Sequence, residues 1–144
     1  MLKIISIVAL PVFVLSIVVL AIRGSLFSPK PVVIACQVCG LAVMLWARTV
    51  FPKGSFRVMA QPAAAQVIQS GPYRFIRHPM YAGAMLILWA SIAGHFSLLH
   101  AGIGIVATAA VLGKICFEER LLRASFPGYE AYARSTKTLI PFVL

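Results

Sequence analysis

The chain has 144 residues, 61% of them hydrophobic and 11% charged, with a mean hydropathy of +0.97. Thirteen Lys and Arg stand against three acids, Glu118, Glu119 and Glu130, for a net charge of +10 at pH 7. Soluble domains run at roughly 45–50% apolar and about 25% charged, which excludes a water-soluble enzyme, a disordered tail or a disulfide scaffold.

Ile4 to Ile22 is a charge-free run of 19 residues. About 20 apolar residues cross the hydrocarbon core, so this is a full span. It exceeds a signal-peptide core, and no small-x-small site precedes Arg23-Gly24-Ser25, so it is expected to be retained. Pro31 to Ala47 follows with 17 residues and carries Trp46 at its interfacial end. A polar connection, Arg48 to His78, leads to a charge-free stretch of 35 residues from Pro79 to Gly113. As one straight helix that stretch would be about 52 Å long, against a core of about 30 Å. Gly94, His95, Ser97, His100, Gly102 and Gly104 cluster near its middle. Two antiparallel spans result, Pro79–Phe96 and Leu99–Phe117. The expected fold is an all-α polytopic membrane bundle: four transmembrane helices, a C-terminal helical hairpin and an interfacial C-terminal segment. No repeat or soluble domain interrupts it, so residues 1–144 read as a single membrane domain.

The bases report orientation. Lys3, the second loop (Arg48, Lys53, Arg57, Arg74, Arg77) and the C-terminal segment (Lys114, Arg120, Arg123, Arg134, Lys137) hold eleven of the thirteen. The first loop holds Arg23 and Lys30, and the third holds none. The positive-inside rule places both termini in the cytoplasm. The bases are thereby assigned to membrane topology, and no nucleic-acid partner is expected.

Polar chemistry collects in one place. A residue before proline is pushed out of the α region, and proline suits the first helical position. His78 should therefore cap the third span and Pro79 begin it, leaving free N–H groups and a positive dipole end that favour an anion. The midpoint of residues 79 and 117 is 98, inside the outer turn, so the hairpin returns Glu118 and Glu119 to the face of Arg77 and His78. Carboxylates cost several kcal/mol within the bilayer, so both should sit at its interface. These acids either tether the hairpin ends to Arg74 or Arg77, or form part of a polar pocket.

The ordered set Gly71-Pro-Tyr-Arg, Arg77-His-Pro-x-Tyr81-x-Gly83, a 35-residue hairpin, Glu118-Glu119 and Tyr129-x-x-Tyr132 up to Ile140-Pro141 resembles the isoprenylcysteine carboxyl methyltransferase and phospholipid methyltransferase families. The resemblance spans roughly residues 46–142. It implies an integral membrane enzyme that uses S-adenosylmethionine, with the cofactor held at the cytoplasmic face by Arg77, His78, Pro79, Tyr81, Gly83, Glu118 and Glu119. Glu118 or Glu119 suits the cofactor's ammonium or ribose hydroxyls, while Arg77 and the helix N-terminus suit its carboxylate. Gly83 would let a ligand approach the helix closely. The catalytic residues implied are His78, Arg77 and Glu119, and Arg74 and Arg123 are candidates for binding the acceptor. That acceptor is expected to be lipophilic, a prenylcysteine carboxylate or a phospholipid amine, with membrane lipids as further partners. An amine or thiol needs a base, for which His78 or a carboxylate is the candidate. Two departures stand out. Phe126-Pro-Gly-Tyr129 is one residue shorter than the family's usual spacing, and Phe51–Gln66 has no obvious match. Sterol-type reductases share the Arg-His-Pro-x-Tyr element with a nicotinamide cofactor, and a non-catalytic membrane scaffold is the other alternative.

Remaining features carry less. Cys36-x-x-Cys39 lies in an apolar span without further ligands, so it is read as helix filler and no metal is expected. Cys116 and Trp89 should pack, and His95 and His100 are polar residues of the outer turn. The basic stretch 114–137 suits an anionic leaflet.

Overall fold

The computed structural model describes residues 2–50 and 67–140, with side chains from residue 7 onward. Lys53 and Arg57, counted above for orientation, and the closing Pro141 lie outside the described residues, as does the side chain of Lys3. Five α-helices occur among the described residues: α1 (Leu2–Ile22), α2 (Pro31–Thr49), α3 (Pro79–Gly94), α4 (Leu98–Ser125) and α5 (Tyr129–Ser135). A 3-10 turn, Gly71–Arg74, precedes α3. The all-helical expectation holds for this described part, where β-pairing is limited to one isolated bridge, between Ile76 and Lys137.

The ends follow local chemistry. Pro31 and Pro79 occupy the first turns of α2 and α3, and His78 is the N-cap of α3. Both prolines lose nothing there, because first-turn N–H groups have no partner within the helix. Ser97 caps α4 by accepting from the His100 N–H at 3.1 Å. α4 runs eight residues past Phe117, farther than the apolar pattern suggests. The reason is local: Glu118-Glu119-Arg120-Leu121-Leu122-Arg123-Ala124 are strong helix formers, and the stop comes at Phe126 before Pro127. Both acids are therefore fixed on one rigid helix.

The two helices of the expected hairpin touch less than expected. α3 lies mainly along α2, and α4 mainly along α1. Gly40 and Gly83 explain the first pairing. A Cβ on Gly83 would stand 2.5 Å from the Gly40 carbonyl oxygen, and one on Gly40 would stand 2.6 Å from that of Gly83. Such close backbone approach needs two glycines, the small-residue contact favoured between membrane helices. Gln37 of α2 adds a bridge by donating to Ser91 Oγ of α3 at 2.9 Å and to the Leu26 carbonyl at 2.7 Å. α3 and α4 still meet where Trp89 rests on Gly104 and donates to Thr108 Oγ1 at 3.2 Å. Leu20, Leu88, Ile92 and Ala107 form the core, joined by Phe13, Ile17 and Met85.

Outward, α1, α2 and α4 present Ile7, Leu15, Val32, Val38, Ile105 and Val106 with about half or more of each exposed. A continuous apolar exterior suits hydrocarbon, not water. Two helices, α2 and α4, are long and apolar enough to cross a membrane; Ile7–Ile22 of α1 and all of α3 are apolar but shorter. Cys39 and Cys116 are exposed on this exterior, so Cys116 does not pack into the core.

Gly83→Ala forces its methyl group against backbone that cannot swing aside. The expected loss is about 1–3 kcal/mol of stability, read as a lowered unfolding midpoint in detergent.

Candidate active site

The segment before α3 is anchored from both sides of the sequence. Gly71 takes a φ of +58°, a left-handed value that glycine accepts freely, and starts the 3-10 turn beside Trp46 of α2. Ile76 then pairs with Lys137 in the isolated parallel bridge: Arg77 N donates to Lys137 O at 2.7 Å, His78 N to Thr138 O at 3.1 Å, and Lys137 N to Phe75 O at 3.0 Å. Arg77 and His78 are thus clamped between α3 and the C-terminal tail.

Glu118 and Glu119 of α4 meet Arg77 and His78 at this end. Glu119 Oε1 accepts from Arg77 Nε at 2.8 Å and Tyr129 OH at 2.8 Å, and lies 3.1 Å from His78 Nε2. Its other oxygen lies 3.3 Å from Arg123, which also pairs with Glu130. Glu118 is held separately. Its Oε1 accepts from Tyr81 OH at 2.8 Å and Lys114 Nζ at 3.0 Å, while Oε2 lies 3.7 Å from His78 Nδ1. The His78 ring, 7% exposed, therefore stands between the two carboxylates and stacks on Tyr81 at 5.7 Å.

Several expected site residues have other employment. Arg77 donates to Glu119, to the carbonyls of Ala133 (2.9 Å) and Thr136 (2.6 Å), and to Thr138 Oγ1 (2.9 Å). A guanidinium has five N–H groups, so one remains for a ligand. Arg77 fastens the C-terminal end of α5 and the tail onto α3, which the resemblance alone did not indicate. Gly83 is buried, and α2 takes the space its missing side chain leaves. Pro79 is fully buried as the first residue of α3. Arg74 is exposed with its guanidinium over the Phe75 ring at 6.0 Å, and Arg123 is exposed and paired with carboxylates.

Sequence reasoning counted Lys114 only as a base for topology and for an anionic leaflet, and used Tyr73, Tyr129 and Tyr132 only as motif letters. Tyr132 OH donates to the Tyr73 carbonyl at 2.8 Å and sits edge-on to Tyr129. The three-residue spacing of Tyr129 and Tyr132 was the available signal, since it puts both rings on one helix face.

The family comparison decides what this end belongs to. The phospholipid methyltransferase family matches residues 31–128, from the start of α2 to the entry of α5. The chain belongs to that family. It contains α3, Arg77, His78, Glu118 and Glu119 within the matched span, and its apolar helices agree with a membrane protein. A methanethiol S-methyltransferase from Crocosphaera subtropica (strain ATCC 51142 / BH68) is 33% identical over 72 residues, covering 49% of this chain and 28% of that relative. The match thus spans little more than a quarter of the relative's length. No solved structure matches the chain.

Electrostatics at the family's shared end are set by Glu119, which lies beyond the apolar run 99–117. Burial works against its charge, but hydrogen bonds from His78, Arg77 and Tyr129 outweigh that and hold the carboxyl down at about 2, below the ordinary 4.5. Burial, first of all, pushes the Tyr129 and Tyr73 phenols up, and Tyr132 to about 12, so all three are neutral donors at pH 7. A depressed carboxyl stabilises the fold above its unfolded value and loses that contribution as pH falls through the folded one. Attachment of α5 should therefore be constant through neutral pH and weaken between about 4.5 and about 2. Hydrogen exchange at the Lys137 amide, corrected for the intrinsic rate at each pH, checks it across that range. Glu119→Gln should remove the pH dependence.

Proposed function

We propose that this protein is an S-adenosylmethionine-dependent membrane methyltransferase, with four transmembrane helices, both termini cytoplasmic, and its cofactor at the cytoplasmic face. The observation that carries the reading is the meeting of Glu118, Glu119 and His78 at the start of α3, inside the span shared with the phospholipid methyltransferase family. The donor set suits the cofactor. The first-turn N–H groups of α3, which have no side-chain cap, fit a carboxylate, and Glu118 fits an ammonium or ribose hydroxyls. When bound, the cofactor supplies an electrophilic methyl group on a sulfonium sulfur.

The chain's own residues then divide the work. Glu118 binds and Tyr81 holds it, while His78, between the two carboxylates, is the candidate to take a proton from an amine or thiol acceptor. Arg77, Glu119 and Tyr129 hold α5 and the tail against α3, and Gly83 sets the α2–α3 crossing, so these act by positioning. Passing a sulfonium's methyl group to an anion would cancel charge, and passing it to an amine would move the charge onto nitrogen, from which a proton must then leave. Alignment and exclusion of water therefore supply most of the effect that the protein must contribute.

The family description supports a phospholipid acceptor reached laterally from the bilayer; a prenylcysteine-like carboxylate, which the sequence resemblance implies, is the other lipophilic candidate. The relative's name favours a second acceptor class, a small thiol. Incubation of purified protein with radiolabelled S-adenosylmethionine and a membrane lipid extract should move label into the lipid fraction. Label on added methanethiol alone would select the thiol, and label on neither would contradict the proposal.

A further inference from the structure

The geometry points to Lys114 as the residue that positions Glu118 for the cofactor, a role that rests on the methyltransferase reading. The buried face of α4 runs Gly104, Ala107, Val111, Lys114, Ile115. These steps of three, four, three and one mark the stripe of a helix packed on its neighbours. Lys114 takes a position on that stripe where an apolar side chain would pack, and its own side chain is 6% exposed. Nothing about α4 as a helix calls for a base here. Lys preceding Glu by four residues is the less favourable order for helix support. A buried ion pair also adds little stability over an apolar pair of similar size. Local stability therefore does not explain the lysine.

Its contact does. Lys114 Nζ and Tyr81 OH both address Glu118 Oε1, from α4 and α3 respectively, at 3.0 and 2.8 Å. Held at that oxygen from two helices, the carboxylate turns its Oε2 toward His78 at the start of α3. The other groups facing this carboxylate are Tyr73, coupled to it electrostatically from the 3-10 turn, and Glu119 next along α4. Glu119 has a different set of partners, Arg77, Tyr129, Arg123 and His78, which join it to α5 and the tail. The adjacent acids are thus not interchangeable. Lys114 keeps Glu118 aimed at the α3 end, and Glu119 holds the frame.

The test is a double-mutant cycle read by calorimetric titration with S-adenosylmethionine. Lys114→Met should weaken binding about tenfold in the otherwise unchanged protein, as loss of a charge-assisted contact implies. Lys114→Arg should restore affinity to within about twofold. In a Glu118→Gln background, Lys114→Met should change affinity by less than about twofold, because the charge it positions is gone. Tyr81→Phe provides a second handle if Lys114→Met does not fold, with an expected weakening of about threefold that also vanishes in the Glu118→Gln background. Unchanged affinity in Lys114→Met, or an equal loss in both backgrounds, would overturn the role of Lys114 while leaving the methyltransferase reading intact. Failure of the unsubstituted protein to bind the cofactor would instead remove the reading on which the role rests.

Discussion

Glu118→Gln is expected to weaken S-adenosylmethionine binding by about ten to a hundredfold, equivalent to roughly 1.4–3 kcal/mol. Glutamine keeps the shape and an acceptor oxygen for Tyr81 and Lys114, so the helix ends remain together. What it removes is the negative charge opposite the cofactor's ammonium. Charged hydrogen bonds are worth roughly twice neutral ones, and the loss is greatest where water is scarce. Glu118 has two donors on one oxygen and a contact of 3.7 Å to His78 on the other. It can therefore accept a ligand without breaking the fold. Calorimetry reads the change directly, and an affinity within twofold of the unsubstituted protein would remove Glu118 from the site.

Arg77→Ala should have the largest effect on stability. It deletes four hydrogen bonds, one of them a pairing with a carboxylate whose side chain is 12% exposed. Removing one partner of a buried pair costs about 3–5 kcal/mol, because the other charge stays behind. The damage should be local. Arg77 reaches Ala133, Thr136 and Thr138, so α5 and the tail lose their fastening, while the Leu20–Leu88–Ile92–Ala107 core lies on other residues. Hydrogen exchange should accelerate at the amides of His78 and Lys137, which belong to the bridge, and stay slow in α1 and α4. Arg77→Lys should rescue little, since a point charge cannot reproduce a fork that reaches four acceptors. Cofactor affinity should fall only as far as the loosened frame lets it. If exchange in the tail is unchanged and affinity alone collapses, Arg77 is a ligand and not a fastener.

The parts of this arrangement that follow from short-range rules were legible in the sequence. Pro79 fixed the start of α3 through the geometry of proline, and the midpoint of residues 79 and 117 brought Glu118 and Glu119 back to His78. Contacts between distant segments were not legible. Arg77 looks like a ligand for an anion until the tail from Ala133 to Thr138 is folded beside it, and that tail has no periodicity to announce its course. Gly83 reads as a place for a ligand until Gly40 of α2 is brought within van der Waals reach. Lys114 was counted as one more interfacial base because the charge-free run ends at Gly113. Its place on the buried stripe of α4 was nevertheless in the spacing from Gly104. The extension of α4 to Ser125 was missed because hydropathy marks where a membrane ends, not where a helix does.

The most direct measurement is a calorimetric titration of the purified protein, in detergent or nanodiscs, with S-adenosylmethionine and then with S-adenosylhomocysteine as competitor. One saturable site that both ligands share, weakened by Glu118→Gln, is the predicted result. A folded protein that takes up neither ligand would contradict the assignment of the α3–α4 end as a cofactor site.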